Sequence, residues 1–190
     1  MNYSEGFIRS ALKLHLQRKH SGTDLRIAEE IHIDSGLCRF DVGLITGTAM
    51  HGFENKSDQD TLTRLEGQVE SYGKFFQQVS IVSSLHWHDA QALTPQWVGI
   101  LIAGKVRQGE VTWIWARRPK ASPLFVPAEA LSIFWHEYLT ERITALQGSP
   151  PPKRWTRAKL ADQLASLCGH EGIAAEVMRF LDWRHTKLGK

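Results

Sequence analysis

The stretch HGFENKSD, residues 51–58, decides the reading of this chain. It follows a small apolar run and precedes a polar turn, so it reads as a strand. Side chains alternate across a strand, which puts Glu54 and Lys56 on one face and Phe53 and Asn55 on the other. An acid and a base two residues apart call for a reason, and it lies in the neighbouring segments.

Upstream, DLRIAEEIHIDSGLCRFDVGLITG (residues 24–47) holds two apolar, branched-rich runs around Asp34-Ser35-Gly36. That pattern predicts a hairpin, with Gly36 free to take a positive φ. In its second strand Asp41 is expected to share a face with Arg39 and Gly43, with Phe40, Val42 and Leu44 opposite. A three-residue turn centred on Ser35 brings Glu29 opposite Asp41; a two-residue turn brings Glu30 there. Asp41, Glu54, Lys56 and one of these glutamates then meet on one face. Clustered carboxylates repel unless something neutralises them. A hard divalent cation such as Mg²⁺, or Mn²⁺, takes oxygen ligands and keeps waters. Beside a phosphate it stabilises transition-state charge and activates water. A neighbouring lysine would orient or deprotonate that water, or stabilise developing charge.

The rest of the chain frames this cluster. Residues 3 to about 20 read as an amphipathic helix. Thr61–Gln77 reads as another, with Leu62, Leu65, Val69, Tyr72 and Phe76 at helical steps. Val79–Ser84 is a short buried strand. Trp97–Ala103 and Val111–Ala116 are two strands about a Gln108-Gly109 turn. Ala128–Gln147 is helical, Gly148–Arg154 is a Pro-rich connector, and Thr156–Leu167 and Glu171–Trp183 are helical. The expected architecture is α/β: helix, three-strand meander, helix, strand, then a helical C-terminal part. Residues 1–147 form the main domain, and residues 148–190 pack back onto it, being few for a core of their own.

Composition sets outer limits. With 190 residues, 42% hydrophobic and 23% charged, the chain is ordinary globular material. No apolar run approaches the roughly 20 residues of a membrane helix. The N-terminus carries no apolar segment of signal-peptide type, so a cytoplasmic protein is expected. Cys38 and Cys168 are too few and too distant for a disulfide framework or zinc site and are expected as buried thiols. A net charge of +3 permits a nucleic-acid partner without requiring one. His86-Trp-His-Asp89 has nothing to complete a metal site and reads as a polar loop. Asp58 and Asp60, before a helix, read as N-cap residues. Trp113 and Trp115, followed by Arg117 and Arg118, read as packing, although aromatics near arginines also stack bases.

The order Asp41, then Glu54-x-Lys56, then Gln68-Val-Glu-Ser-Tyr72 on the following helix resembles the PD-(D/E)xK nuclease superfamily, and the last motif is similar to the QxxxY of its RecB-like branch. The longer text, from Arg39-Phe-Asp41 through HGFENKSDQDTLTRL to Gln68, looks like a group of bacterial and phage proteins within it, whose usual text is close to HGYEIKSDxDTLxRLxxQ. The resemblance covers most of the chain. It implies a restriction-endonuclease-like core and Mg²⁺- or Mn²⁺-dependent hydrolysis of phosphodiester bonds in DNA. Asp41 and Glu54 would hold the metal, and Lys56 would be the base or electrostatic helper. Glu30, or else Glu29, would be the supporting acid. Gln68 and Tyr72 would contact substrate or brace the site. Arg64 would hold phosphate or pair with an acid. Asn55 departs from the pattern, standing where an apolar residue is usual, and as a core amide it needs a partner. Two other readings are a DNA-binding module without efficient cleavage and an accessory protein acting through a protein partner. A homodimer is a further expectation, since dimers are common among such nucleases.

Overall fold

In the computed structural model, which describes residues 3–57 and 59–189, Ser4 caps helix α1 (Glu5–Lys19), its hydroxyl accepting from the Phe7 amide. Ile8, Leu12 and Leu16 recur every four residues and are its buried stripe. Strands β1 (Leu25–Ile33) and β2 (Cys38–Thr46) are joined through Asp34–Gly36, where all three residues take positive φ. Then come β3 (Met50–Lys56), α2 (Leu65–Phe75), β4 (Gln78–Ser83), α3 (Trp87–Leu93), β5 (Gly99–Arg107) and β6 (Glu110–Arg117). Helices α4 (Pro127–Ala130), α5 (His136–Gln147) and α6 (Arg157–Lys187) complete the chain.

The fold is mixed α/β. One six-stranded sheet runs β1-β2-β3-β4-β5-β6 in chain order. β3, β4 and β5 are parallel, linked through α2 and α3; the outer pairings are antiparallel. The parallel centre is buried on both faces: in β4 Val79, Ile81 and Val82 are buried together with the small Ser80 and Ser83. One face, with Val42, Leu44, Phe53, Val82 and Leu101, packs on α1. The other forms a larger core with α2 and with α4–α6, from Phe40, Tyr72 and Phe76 through to Val177 and Phe180. Two ties hold α6 in place. Arg26 on β1 grips Asp182 with two hydrogen bonds, and buried Glu176 accepts from Tyr138 and Arg142 of α5.

Several boundaries differ from the sequence reading. The α2 helix starts at Leu65, with Arg64 as an N-cap that makes no side-chain capping bond. Asp60 therefore does not cap it; its carboxylate accepts from the Ser57 amide, while Asp58 lies outside the described residues. His86–Asp89 is not a polar loop: Trp87, His88 and Asp89 open α3. Ala128–Gln147 is two helices, separated where the chain turns to bury Leu131 and Phe134. The two helical stretches after the Pro-rich connector are the halves of α6, broken at Gly169 (φ 63°). Cys38 and Cys168 are free thiols, half-buried rather than buried. Among the described residues, no helix is long and apolar enough to cross a membrane.

The hairpin holds the most consequential departure. Ile31 pairs with Phe40 and Glu29 with Val42, the register of the shorter turn, but Glu30 and Asp41 between them are a gap in the ladder. Glu30 sits at φ 51°, where a non-glycine residue costs about 1–2 kcal/mol. The register is the same on both sides of the gap, yet the break reverses the alternation. Ile31, Ile33, Cys38 and Phe40 serve the α2 face, whereas Ile27, Val42 and Leu44 serve the α1 face. Phe40 thus does not share a face with Val42 and Leu44. It joins Gly43, whose missing Cβ leaves room for the Phe76 and Phe40 rings.

Candidate functional site

The gap at Asp41 builds the site. Paired residues of β2 and β3 end at Val42 and Phe53, and beyond them the strands splay. Backbone groups released there find side chains. The Asn55 amide donates to Asp41 Oδ2 at 2.8 Å, and the Asp41 amide donates to the Tyr72 hydroxyl at 2.8 Å. The Tyr72 hydroxyl in turn donates to Glu54 Oε2 at 2.5 Å. Lys56 Nζ donates to Glu54 Oε1 and to Gln68 Oε1, both at 2.8 Å, and Gln68 Nε2 donates back to Glu54 Oε1 at 2.5 Å. The structure thus brings together Asp41, Glu54, Lys56, Gln68 and Tyr72, the residues singled out on β2, β3 and α2.

Two of these residues have roles narrower than the sequence allowed. Tyr72 is wholly buried between Phe76 and the carboxylates, so its hydroxyl braces Glu54 and the Asp41 backbone and is shut off from solvent. Gln68 holds both members of the Glu54–Lys56 pair. Glu54 and Lys56 are only 3% and 5% exposed, so their charges are met by these bonds and not by bulk water.

A cavity of about 650 Å³ opens over the splayed strands. Glu5, Asp41, Glu54 and Asp60 line it, facing Lys56, Arg39 and Arg64. Arg64 is exposed and forms no salt bridge among the described residues. Burial, then the charge of Glu54, then that of Glu5 push the Asp41 carboxyl up to about 7, against the pull of the Asn55 amide and Lys56.

The supporting acid is not where the sequence put it. Glu29 pairs with Lys13 at 2.5 Å. Glu30 is turned by its positive φ to Arg9, at 2.6 Å, and Arg39, at 3.5 Å; Arg9 and Arg39 hold its carboxyl below the usual range. Glu30 does not line the cavity. Glu5 does, and in the sequence an acid in the first turn of a helix reads only as a partner of the helix dipole. Asn55 is 3% exposed, and its side-chain Nδ2 and Oδ1 have no hydrogen-bond partner among the described residues.

Among the described residues, no three His, Cys, Asp or Glu side chains converge in the manner of a complete metal cage. A cation here would rest on Asp41 and Glu54, with waters or phosphate oxygens filling its shell. Mg²⁺ favours that mode, and two mutually repelling carboxylates suit it.

Comparison with known proteins gives a family without an activity. The SPO1766 protein of unknown function from Silicibacter pomeroyi is 17% identical, with the alignment covering 77% of this chain and 94% of that one at a TM-score of 0.48. No curated protein matches. The family model described as bacteriophage P4 protein cII matches residues 2–188, so the chain belongs to the bacteriophage P4 protein cII family.

Proposed function

We propose that the protein is a metal-dependent deoxyribonuclease on a restriction-endonuclease-like core, acting in the cytoplasm and hydrolysing phosphodiester bonds. The observation that carries this reading is the buried Glu54–Lys56 pair. It faces one cavity with Asp41, at the point where β2 leaves β3. An ammonium held this far from solvent beside two carboxylates is expensive as decoration and useful as chemistry. The Asp41, Glu54-x-Lys56 and Gln68-xxx-Tyr72 text adds the resemblance set out above.

Asp41 and Glu54 would hold Mg²⁺ or Mn²⁺, which supplies charge neutralisation at a phosphate and acidifies water. Lys56 Nζ, fixed by Glu54 and Gln68, aims positive charge into the cavity to orient the attacking water or stabilise the charged phosphate. Tyr72 keeps Glu54 and the Asp41 backbone at a set separation, and Arg64 at the rim receives phosphate. Hydrolysis would proceed by attack of that water in line with the leaving oxygen.

The test is cleavage of linear, circular and single-stranded DNA with Mg²⁺, Mn²⁺ or EDTA, for wild type, Lys56→Ala and Asp41→Ala. Cleavage lost in EDTA and in both variants is expected. A verified activity unchanged in both variants sinks the assignment.

A further inference from the structure

A second pocket, of about 470 Å³, lies on the α1 face of the sheet, away from the carboxylates. His15, Lys19 and His20 from α1 and its C-cap line it, with His51 from β3, Trp115 from β6 and Arg118 just beyond. Among the described residues, no aspartate or glutamate lines it. On the same helix Lys13 and Arg18 are neutralised by Glu29 and Glu110. Among the described residues, Lys19, His20 and Arg118 have no such partner. Lys19 Nζ lies 5.9 Å from the Trp115 ring centroid. The Trp115 and His51 rings are 18° from parallel with centroids 6.4 Å apart, so they form an aromatic wall beside the cations.

We propose that this pocket binds a nucleotide, the phosphate meeting Lys19, His20 and Arg118 and the base lying against the Trp115 and His51 wall. Uncompensated cations beside aromatic faces are how proteins hold phosphate and base together. The volume falls in the range of about 300–1,000 Å³ usual for small-molecule sites. Burial is the main cause that lowers the proton affinity of His15 and His51, and the nearby charges of Lys19 and His20 add to it. The site is separate from the carboxylate cavity and does not depend on the nuclease reading.

Calorimetric titration in EDTA tests it, with adenosine monophosphate, adenosine, inorganic phosphate and a 5′-phosphorylated oligonucleotide as probes. Wild type is compared with Lys19→Ala/Arg118→Ala, both exposed positions whose change should leave the melting temperature in place, and with Asp41→Asn. The monophosphate is expected to bind more tightly than adenosine or phosphate alone, and the double variant should weaken it about tenfold or more. Asp41→Asn should leave binding unchanged. An oligonucleotide tighter than the monophosphate identifies a nucleic-acid end as the source, and equal affinity identifies a free nucleotide. Absence of saturable binding to wild type, phosphate binding as tightly as the nucleotide, or binding indifferent to the double variant overturns the proposal.

Discussion

Tyr72 and Glu54 share a hydrogen bond of 2.5 Å, and the same tyrosine oxygen accepts from the Asp41 amide. One hydroxyl thus ties α2 to both strands where they separate, and it sits in the core that carries Phe40 and Phe76. Tyr72→Phe keeps the ring packing and removes both bonds. Leaving a buried carboxylate oxygen and an amide short of partners costs about 1–3 kcal/mol. At about 2–4 °C per kcal/mol for a chain of this size, a melting curve should fall by several degrees. A melting temperature equal to wild type would mean the hydroxyl is not the brace described.

Lys56 and Glu54 form a buried pair, so removing one partner is worse than removing both. Lys56→Met strands the Glu54 charge and should cost about 3–5 kcal/mol at most, since Tyr72 and Gln68 still donate to it. Glu54→Gln/Lys56→Met should recover part of that loss, giving a coupling of about 1–3 kcal/mol in a double-mutant cycle by denaturant unfolding. Both proteins should lack cleavage activity. Additive stabilities would show that the pair is not coupled.

Asp41 sets a pH dependence with a definite sign. Burial and the Glu54 charge hold its carboxyl up to about 7, above the ordinary 3.8. The folded protein therefore keeps a proton that the unfolded chain releases. The stability this group contributes is complete below about 4 and is lost as pH rises through about 7. Asp41→Asn keeps an acceptor for the Asn55 amide and carries no charge. Its melting temperature relative to wild type should rise between about pH 5 and pH 8 in EDTA. Mg²⁺ or Mn²⁺ should raise the wild-type melting temperature at the upper pH and leave the variant unmoved. A flat difference across that range would contradict the charge argument.

Asn55 is a buried amide with neither side-chain atom satisfied among the described residues. Asn55→Val removes the unmet polar group, suits a central strand and leaves the backbone bond to Asp41 in place. Stabilisation of about 1–3 kcal/mol is expected, with cleavage retained. A variant less stable than wild type would mean that the amide has a partner in solution.

How far the sequence carried the site follows from what each signal is made of. The Glu54–Lys56 pair was legible because a strand has a period of two, and Gln68 and Tyr72 through the resemblance of Gln68-Val-Glu-Ser-Tyr72 to the QxxxY motif. The break at Glu30 was not, since nothing marks a glutamate for positive φ; the alternation of Phe40 against Val42 was misread for that reason. Glu5 was missed because it reaches the cavity only through the docking of α1 across the sheet. The α3 helix is seven residues long, too short for periodicity to separate from loop. The split between α4 and α5 falls inside a continuous apolar pattern, and only the demand to bury Leu131 and Phe134 reveals it.

Because the β1–β2 hairpin changes face at Glu30, neither of its halves belongs to one layer alone. Its outer part, with Ile27 and Leu44, is fastened under α1; its inner part, with Ile31 and Phe40, is fastened under α2 and α6. Local opening of α1 should therefore loosen the far end of the same ladder. In native-state amide exchange, Ile27 and Ile31 should report one shared opening free energy where a regular two-layer sheet would show two.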